Sequence, residues 1–354
     1  MKYSILIRNG RIWDGERFLS GDIAIQDGKI AAIGQTEEAE AAFVYDAQGK
    51  LVTPGLVDIH THLKGISIDA FGMQAEMACL PFGVTAAVDC GGSMGDKALL
   101  DSFWVKNAVF ITVDIQNDQP DFTRVEELLP RYGSKAIGLK VYYDTHMYGV
   151  KTVAPLKRIV QYAQEHGLQV MVHCNRSPIP MADILDALRP GDILTHIYHG
   201  GVNTAMDDGF AALKAARARG VIIDAGLAGH VHTDFTLLRE AVRCGAKPST
   251  ISTDITCSSA YKRGGRYGLP LCMSLMRAVG LSEEEVLRAV TTDAAAAVHM
   301  PWGRLTVDGT ADVAVLDEQG EAYALTDANG VTFGEDHMYR CCLTVADGQV
   351  VYRS

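Results

Sequence analysis

A chain of 354 residues, 48% of them hydrophobic and 21% charged, has ample apolar material for a large core, which excludes a disordered or fibrous protein. Its formal charge of −11 is spread among interspersed basic residues, with no cationic stripe to follow a phosphate backbone, so no nucleic-acid partner is expected. The eight cysteines lie mostly far apart and form no CxxC pair, unlike a disulfide framework or a zinc ribbon, and the expected compartment is the reducing cytoplasm.

The opening, MKYSILIRNGRIWDG, meets Arg8, Asn9 and Arg11 too soon for a signal peptide, and no segment is apolar for long enough to span a bilayer, so no membrane association is expected. The first elements, in SILIRNGRIWDG and DIAIQDGKIAAIG, are short alternating runs joined by Asn-Gly and Asp-Gly, which signal hairpins. The C-terminal segments ADVAVLDEQG and CCLTVADGQVVYRS again read strand, turn, strand. Residues 1–51 and 304–354 are therefore expected to form one small discontinuous β-sandwich domain from both ends of the chain.

Between them, residues 52–303 alternate β-branched runs with helical patterns. The runs are GLVDIH (55–60), VTAAVDC (84–90), AVFITVDI (108–115), AIGLKVYY (136–143), LQVMVHC (168–174), DILTHIY (192–198), GVIIDAG (220–226) and STISTDI (249–255). Helical stretches intervene, as in VAPLKRIVQYAQEHG, with apolar residues at helical spacing and a terminal Gly. Strands alternating with helices in this number give an α/β fold, a (β/α)8 TIM barrel.

The unusual residues sit near the C-terminal ends of these runs. LVTPGLVDIHTHLKG ends the first run in His60 and His62, and strand alternation puts two residues separated by one on the same side. Lys140 lies in the fourth run, His173 ends the fifth, His196 lies in the sixth and Asp254 in the eighth. Those ends converge on one face of a barrel, so six groups from five strands meet there. Four imidazoles and a carboxylate suit zinc or a similar divalent ion. Lys140 is the anomaly, because an ammonium has no lone pair and is repelled by a cation. A carbamate formed from Lys140 and CO2 would supply a bridging carboxylate.

PGLVDIHTH, followed in order by GLK, VMVHC, LTHIY and STD, resembles the binuclear amidohydrolase superfamily, the metal-dependent hydrolases that include dihydroorotase and hydantoinase. The resemblance spans essentially the whole chain and is greatest to the bacterial amidohydrolase or deacetylase-like group, through LKVYYDTHMYG, RPGDILTHIYHGG, RARGVIIDAG, LPLCMSL and LTVDGTADVAVLD. It implies that His60 and His62 bind a buried metal, His173 and His196 a more exposed one, and N6-carboxylated Lys140 bridges the two. Zinc is the implied metal, with manganese as the alternative. Asp254 would bind the buried metal, accept a proton from the attacking water and pass it to the leaving group.

Around these residues, Arg176 in HCNRSPIP, His199 and Arg266 in YKRGGRYG are the candidate substrate-binding residues, with Arg263 beside the last. His230 and His232, in LAGHVHTDF, read as pocket wall or surface, and Cys174 as packing. The loops CNRSPIP, YHGG and GLAGHVH depart from the deacetylase-like pattern, so the reaction class carries over better than the substrate. The expected activity is hydrolysis of an amide or ester bond in a small molecule, an N-acyl or O-acyl carboxylate, with cyclic amide opening as the alternative. A deaminase is disfavoured because Cys174, Asn175 and Arg176 follow His173 where an HxxE glutamate is expected. A non-catalytic barrel scaffold is opposed by retention of all six ligands. Self-association into a homo-oligomer is expected from the relatives.

Overall fold

The computed structural model describes residues 2–36, 40–64, 71–92, 95–144, 150–228, 232–262, 265–318, 322–335 and 338–354. Seven parallel strands, taken in chain order, form the central sheet: Leu56–Thr61, Val84–Gly91, Lys106–Thr112, Ala136–Asp144, Gln169–Asn175, Ile193–Thr195 and Ile222–Asp224. The eighth run closes the circle without a continuous ladder. Thr250 bridges Asp224 on one edge and Ile255 bridges Thr61 on the other. Between those points its carbonyls turn to the segment after the seventh strand, with Leu227 N donating to Ser252 O and Ala228 N to Thr253 O.

Strand residues alternate between two cores. Val57, Ile59, Val88, Phe110, Met171 and Ile193 fill the barrel interior above Ala294, Ala295 and Ala297 of the helix Thr292–Ala297. Leu56, Val109, Leu139, Val141, Val172 and Leu194 belong to the larger outer cluster, packed with helix residues such as Leu156 and Ile159.

Three departures from regular strand geometry aim the polar residues. The first strand carries a one-residue bulge between Asp58 and Thr61, opposite Ala87 and Asp89. The bulge lets Ile59 and the adjacent His60 both serve the interior, which strict alternation forbids. His196 has φ 66° and Asp254 φ 49°, both left-handed, a conformation that costs a non-glycine residue about 1 kcal/mol. The first turns His196 inward directly after inward-facing Thr195, and the second swings Asp254 against His60, whose carbonyl accepts the Asp254 amide at 2.7 Å.

The flanking β part draws on both ends of the chain. Its sheet runs Gln349–Arg353, Arg340–Ala346, Val313–Asp317, Leu51–Pro54, Lys2–Trp13, Phe18–Gln26 and Lys29–Gly34, with Glu40–Asp46 also pairing with Lys2–Trp13. Ile7, Ile12, Ile23, Val52, Val313 and Leu343 share one core within it. Asp27-Gly28 forms the expected hairpin, both residues having positive φ. Asn9-Gly10 does not turn the chain. It is a bulge inside the twelve-residue strand Lys2–Trp13, where Asp22 accepts the Asn9 amide and Asp46 accepts its side-chain Nδ2, so these bonds hold Asn9 at φ 56°. Among the described residues no helix is long and apolar enough to cross a membrane.

Candidate metal centre

The barrel's C-terminal end gathers two triads whose donor atoms lie within 4.8 Å of one another: His60, His62 and Asp254, and His173, His196 and His232. In the first, Asp254 Oδ1 stands 2.8 Å from His62 Nε2 and 3.3 Å from His60 Nε2. The Asp254 carboxylate reaches toward the second as well, with Oδ2 at 3.6 Å from His196 Nε2 and 3.9 Å from His232 Nε2. The rings of the second triad are in mutual contact, with centroids 4.4 to 4.9 Å apart. Asp254 is thus the shared carboxylate between the two clusters.

Lys140 lies beneath them, fully buried, its Nζ 2.8 Å from His60 Nε2 and 3.3 Å from Met171 Sδ. No carboxylate is paired with it among the described residues, and burial pushes its ammonium down from the usual lysine range. That favours the neutral amine, the form able to react with CO2.

Burial also holds the imidazoles of His60, His173 and His232 down to about 4. The rings are therefore neutral near pH 7, the form that binds metal. Burial alone would raise the Asp254 carboxyl, but His60, His62 and His196 together override it and keep it well below the usual range.

Tautomers are set from the neighbouring strands. The Gly226 carbonyl accepts His196 Nδ1 at 2.6 Å, leaving Nε2 as a lone pair directed at the cluster. His196 Nε2 is buried without a hydrogen-bond partner among the described residues, while Asp254 Oδ1 lies 2.8 Å from His62 Nε2 and His173 Nε2 lies 3.5 Å from Asp144 Oδ2. An orphaned buried acceptor is costly and rare, and one set among imidazoles and a carboxylate fits a site built for cations.

The structure brings His60, His62, Lys140, His173, His196 and Asp254 together. It adds His232, which the sequence places after the seventh run and which has no strand-end signal to mark it. Its neighbour His230 lies outside the described residues, as does Arg263. Cys174 is buried, its Sγ 3.1 Å from the Thr195 carbonyl, on the packing side of its strand.

The substrate-side candidates separate. His199 is buried beside the second triad, its Nδ1 accepting the amides of Gly201 at 3.2 Å and Arg176 at 3.4 Å, while its Nε2 has no partner among the described residues. Arg176 is exposed, left-handed at φ 52°, and its stem would meet any Cβ at Gly201. Arg266 lines a cavity of about 320 Å³ with Phe82, Pro270, Tyr339 and Tyr352, whereas Asp254 and His232 line another, of about 170 Å³. The wall of that second cavity holds Phe71, Thr256, Ser258 and Lys262, residues not singled out from the sequence.

Residues 51–337 match the model of the Amidohydrolase family. A deacetylase of Enterococcus faecalis is 27% identical over 99% of both chains, and a deacetylase of Agrobacterium fabrum is 30% identical over 88% of this chain and 82% of its own. A solved dihydroorotase superposes with a TM-score of 0.84 at 24% identity, covering 99% of this chain and 98% of that one. With the barrel, the paired triads and the matched span all in place, the chain belongs to the amidohydrolase family, as a metal-dependent hydrolase acting on C–N bonds.

Proposed function

We propose that the chain hydrolyses an acyl amide or ester of a small carboxylate-bearing molecule, in the manner of a deacetylase, in the cytoplasm and as a homo-oligomer. The observation that carries the reading is the cavity of about 170 Å³ with Asp254 and His232 at one end and Lys262 on its wall. A small acyl group fits against the cluster, and the Lys262 ammonium, which has no ion-pair partner among the described residues, is placed to meet a carboxylate. Lys262 takes over the role expected of Arg266, which lines a different cavity. Phe71, whose ring centroid is 4.8 Å from that of His62, supplies an apolar wall.

In this reading residues 52–303 carry the chemistry, flanked by residues 1–51 and 304–354. His60, His62 and Asp254 would hold one divalent ion, zinc or manganese, and His173 and His196 the other, with His232 beside them. Lys140, as its carbamate, would supply a further carboxylate to them. Ions so held lower the pKa of water and polarise a carbonyl. Asp254, with one oxygen toward each triad, takes the proton of the attacking water and returns it to the leaving nitrogen or oxygen. Opening of a cyclic amide uses the same groups and is the second reading, favoured by the solved dihydroorotase that shares the fold.

The test is elemental analysis of protein prepared with bicarbonate and without chelator, followed by a screen of N-acyl and O-acyl amino and hydroxy acids against lactams and imides. Two ions per chain with turnover of acyl acids support the reading. Turnover of rings alone moves it to the cyclic amidase, and a chain that takes up no metal overturns it.

A further inference from the structure

The seventh strand, Ile222–Asp224, contributes no group to either triad, yet it ends in a buried carboxylate that accepts three side-chain hydroxyls. Asp224 is wholly buried and accepts three hydroxyls: Thr195 Oγ1 at 2.8 Å and Ser252 Oγ at 2.6 Å on Oδ2, and Thr250 Oγ1 at 2.8 Å on Oδ1. These come from the strands on either side, so the bonds also tie the irregular eighth run to the sheet.

The direction of one of these bonds matters. A hydroxyl carries one proton, and that of Thr195 is given to Asp224. Its oxygen can then only accept from His60 Nδ1, 3.1 Å away, and Asp224 Oδ2 is itself 3.6 Å from the same nitrogen. The ring must carry its proton on Nδ1. His60 Nε2 is left as a lone pair, 2.8 Å from Lys140 Nζ and 3.3 Å from Asp254 Oδ1, facing the centre of the site. With the opposite tautomer a proton would point into that centre.

We propose that Thr195 and Asp224 form a positioning relay that fixes the His60 tautomer and so sets the metal affinity of the His60–His62–Asp254 triad. The proposal rests on that triad being a metal site, as argued above. It goes further in assigning part of the affinity to two residues that never touch the ion. The Asp224 carboxylate polarises Thr195, Thr195 orients the ring, and the ring offers its basic nitrogen already aimed. The relay differs from the direct carbonyl contact that Gly226 makes to His196, so the two triads are tuned by separate devices, at Asp224 and at Gly226 two residues beyond it.

Three substitutions separate orientation from packing. Thr195→Val keeps the shape and removes the hydroxyl, while Thr195→Ser keeps the hydroxyl and serves as the rescue. Asp224→Asn is nearly isosteric but turns one oxygen into an amide donor. The amide can donate to Thr195 Oγ1, whose proton is then free to point at His60 Nδ1, reversing the chain and favouring the wrong tautomer.

The experiment is a zinc competition titration against a chelator on the full chain, with the metal content of each variant, paired with ¹⁵N chemical shifts of the His60 ring in metal-free protein. Thr195→Val and Asp224→Asn are expected to weaken one of the two zinc sites about 10- to 100-fold and leave the other within about twofold, with Thr195→Ser near wild type. The ¹⁵N shifts should report Nδ1–H in wild type and a shift toward Nε2–H in Asp224→Asn. Folded variants with both sites unchanged, or with both weakened equally, overturn the relay. A His60 ring protonated on Nε2 in metal-free wild type overturns it without reference to metal at all. Wild-type protein that binds no zinc while keeping the Nδ1–H ring counts against the hydrolase reading instead.

Discussion

Replacing Lys140 with alanine separates what the residue does for the fold from what it does for the site. The side chain is fully buried, and alanine removes three methylenes and the nitrogen. At about 0.8 kcal/mol per buried methylene the lost transfer energy is about 2 kcal/mol. Against this, the wild-type chain bears the cost of holding an amine whose hydrogen-bonding neighbours among the described residues are His60 Nε2 and Met171 Sδ, and alanine relieves it. Stability should therefore fall by no more than about 2 kcal/mol, and the variant should fold. Activity should fall by three or more orders of magnitude, about 4 kcal/mol or more of lost transition-state stabilisation, with metal content dropping below two ions per chain. The hole left by the side chain admits a short carboxylic acid, so formate, acetate or propionate should restore part of the metal and part of the rate. Lys140→Met fills the same volume without the nitrogen and should remain inactive with no rescue. The measurements are urea unfolding, elemental analysis and turnover with and without added acid. An alanine variant with two ions and wild-type turnover refutes the carbamate, and a methionine variant that works refutes any chemical role for the nitrogen.

Three other outcomes are expected. Asp254→Asn should keep much of its metal but lose turnover by at least a hundredfold in steady-state assays, since the amide cannot accept the proton; retained turnover would remove Asp254 from that role. Gly226→Ala should lose metal from both triads by elemental analysis. The new Cβ falls 2.1 Å from Thr195 Oγ1 and 2.6 Å from His196 Nδ1, while Gly245→Ala, with positive φ but nothing within 4 Å, carries only the backbone strain of about 1 kcal/mol and should keep its metal. Metal-free protein should lose stability as the pH falls from 6.5 toward 5. His60, His173, His199 and His232 are held near 4 by burial, so the unfolded chain takes up protons across that window which the folded chain refuses. The contribution is fully present above 6.5, and a urea midpoint that stays flat between pH 6.5 and 5 would contradict it.

How far the site could be read from the sequence follows from which physical signals are local. His60, His62, Lys140, His173, His196 and Asp254 were legible because each sits near the C-terminal end of a β-branched run, and a barrel maps run order onto a ring. The strand pattern was legible for the same reason, since β-branched runs separated by helical periods leave few other topologies. What the period could not show is how those residues turn inward. Simple alternation puts His60 on the face opposite Ile59, yet both serve the interior because of the bulge after Asp58, and Thr195 and His196 do so because His196 is left-handed. Such irregularities leave no mark in apolar spacing, just as Asn9-Gly10 reads as a turn until Asp22 and Asp46 are seen to hold it as a bulge. His232 and Lys262 were hidden for a different reason, because loops place side chains by tertiary contact and carry no period. Asp224 was hidden in plain view. In GVIIDAG it looks like the polar end of a strand, and only the three hydroxyls from Thr195, Thr250 and Ser252, which lie far from it in sequence, turn it from an ordinary strand-end acid into the buried anchor of His60. The candidate ligands of this site are thus a property of strand order, and their aim is a property of contacts between strands.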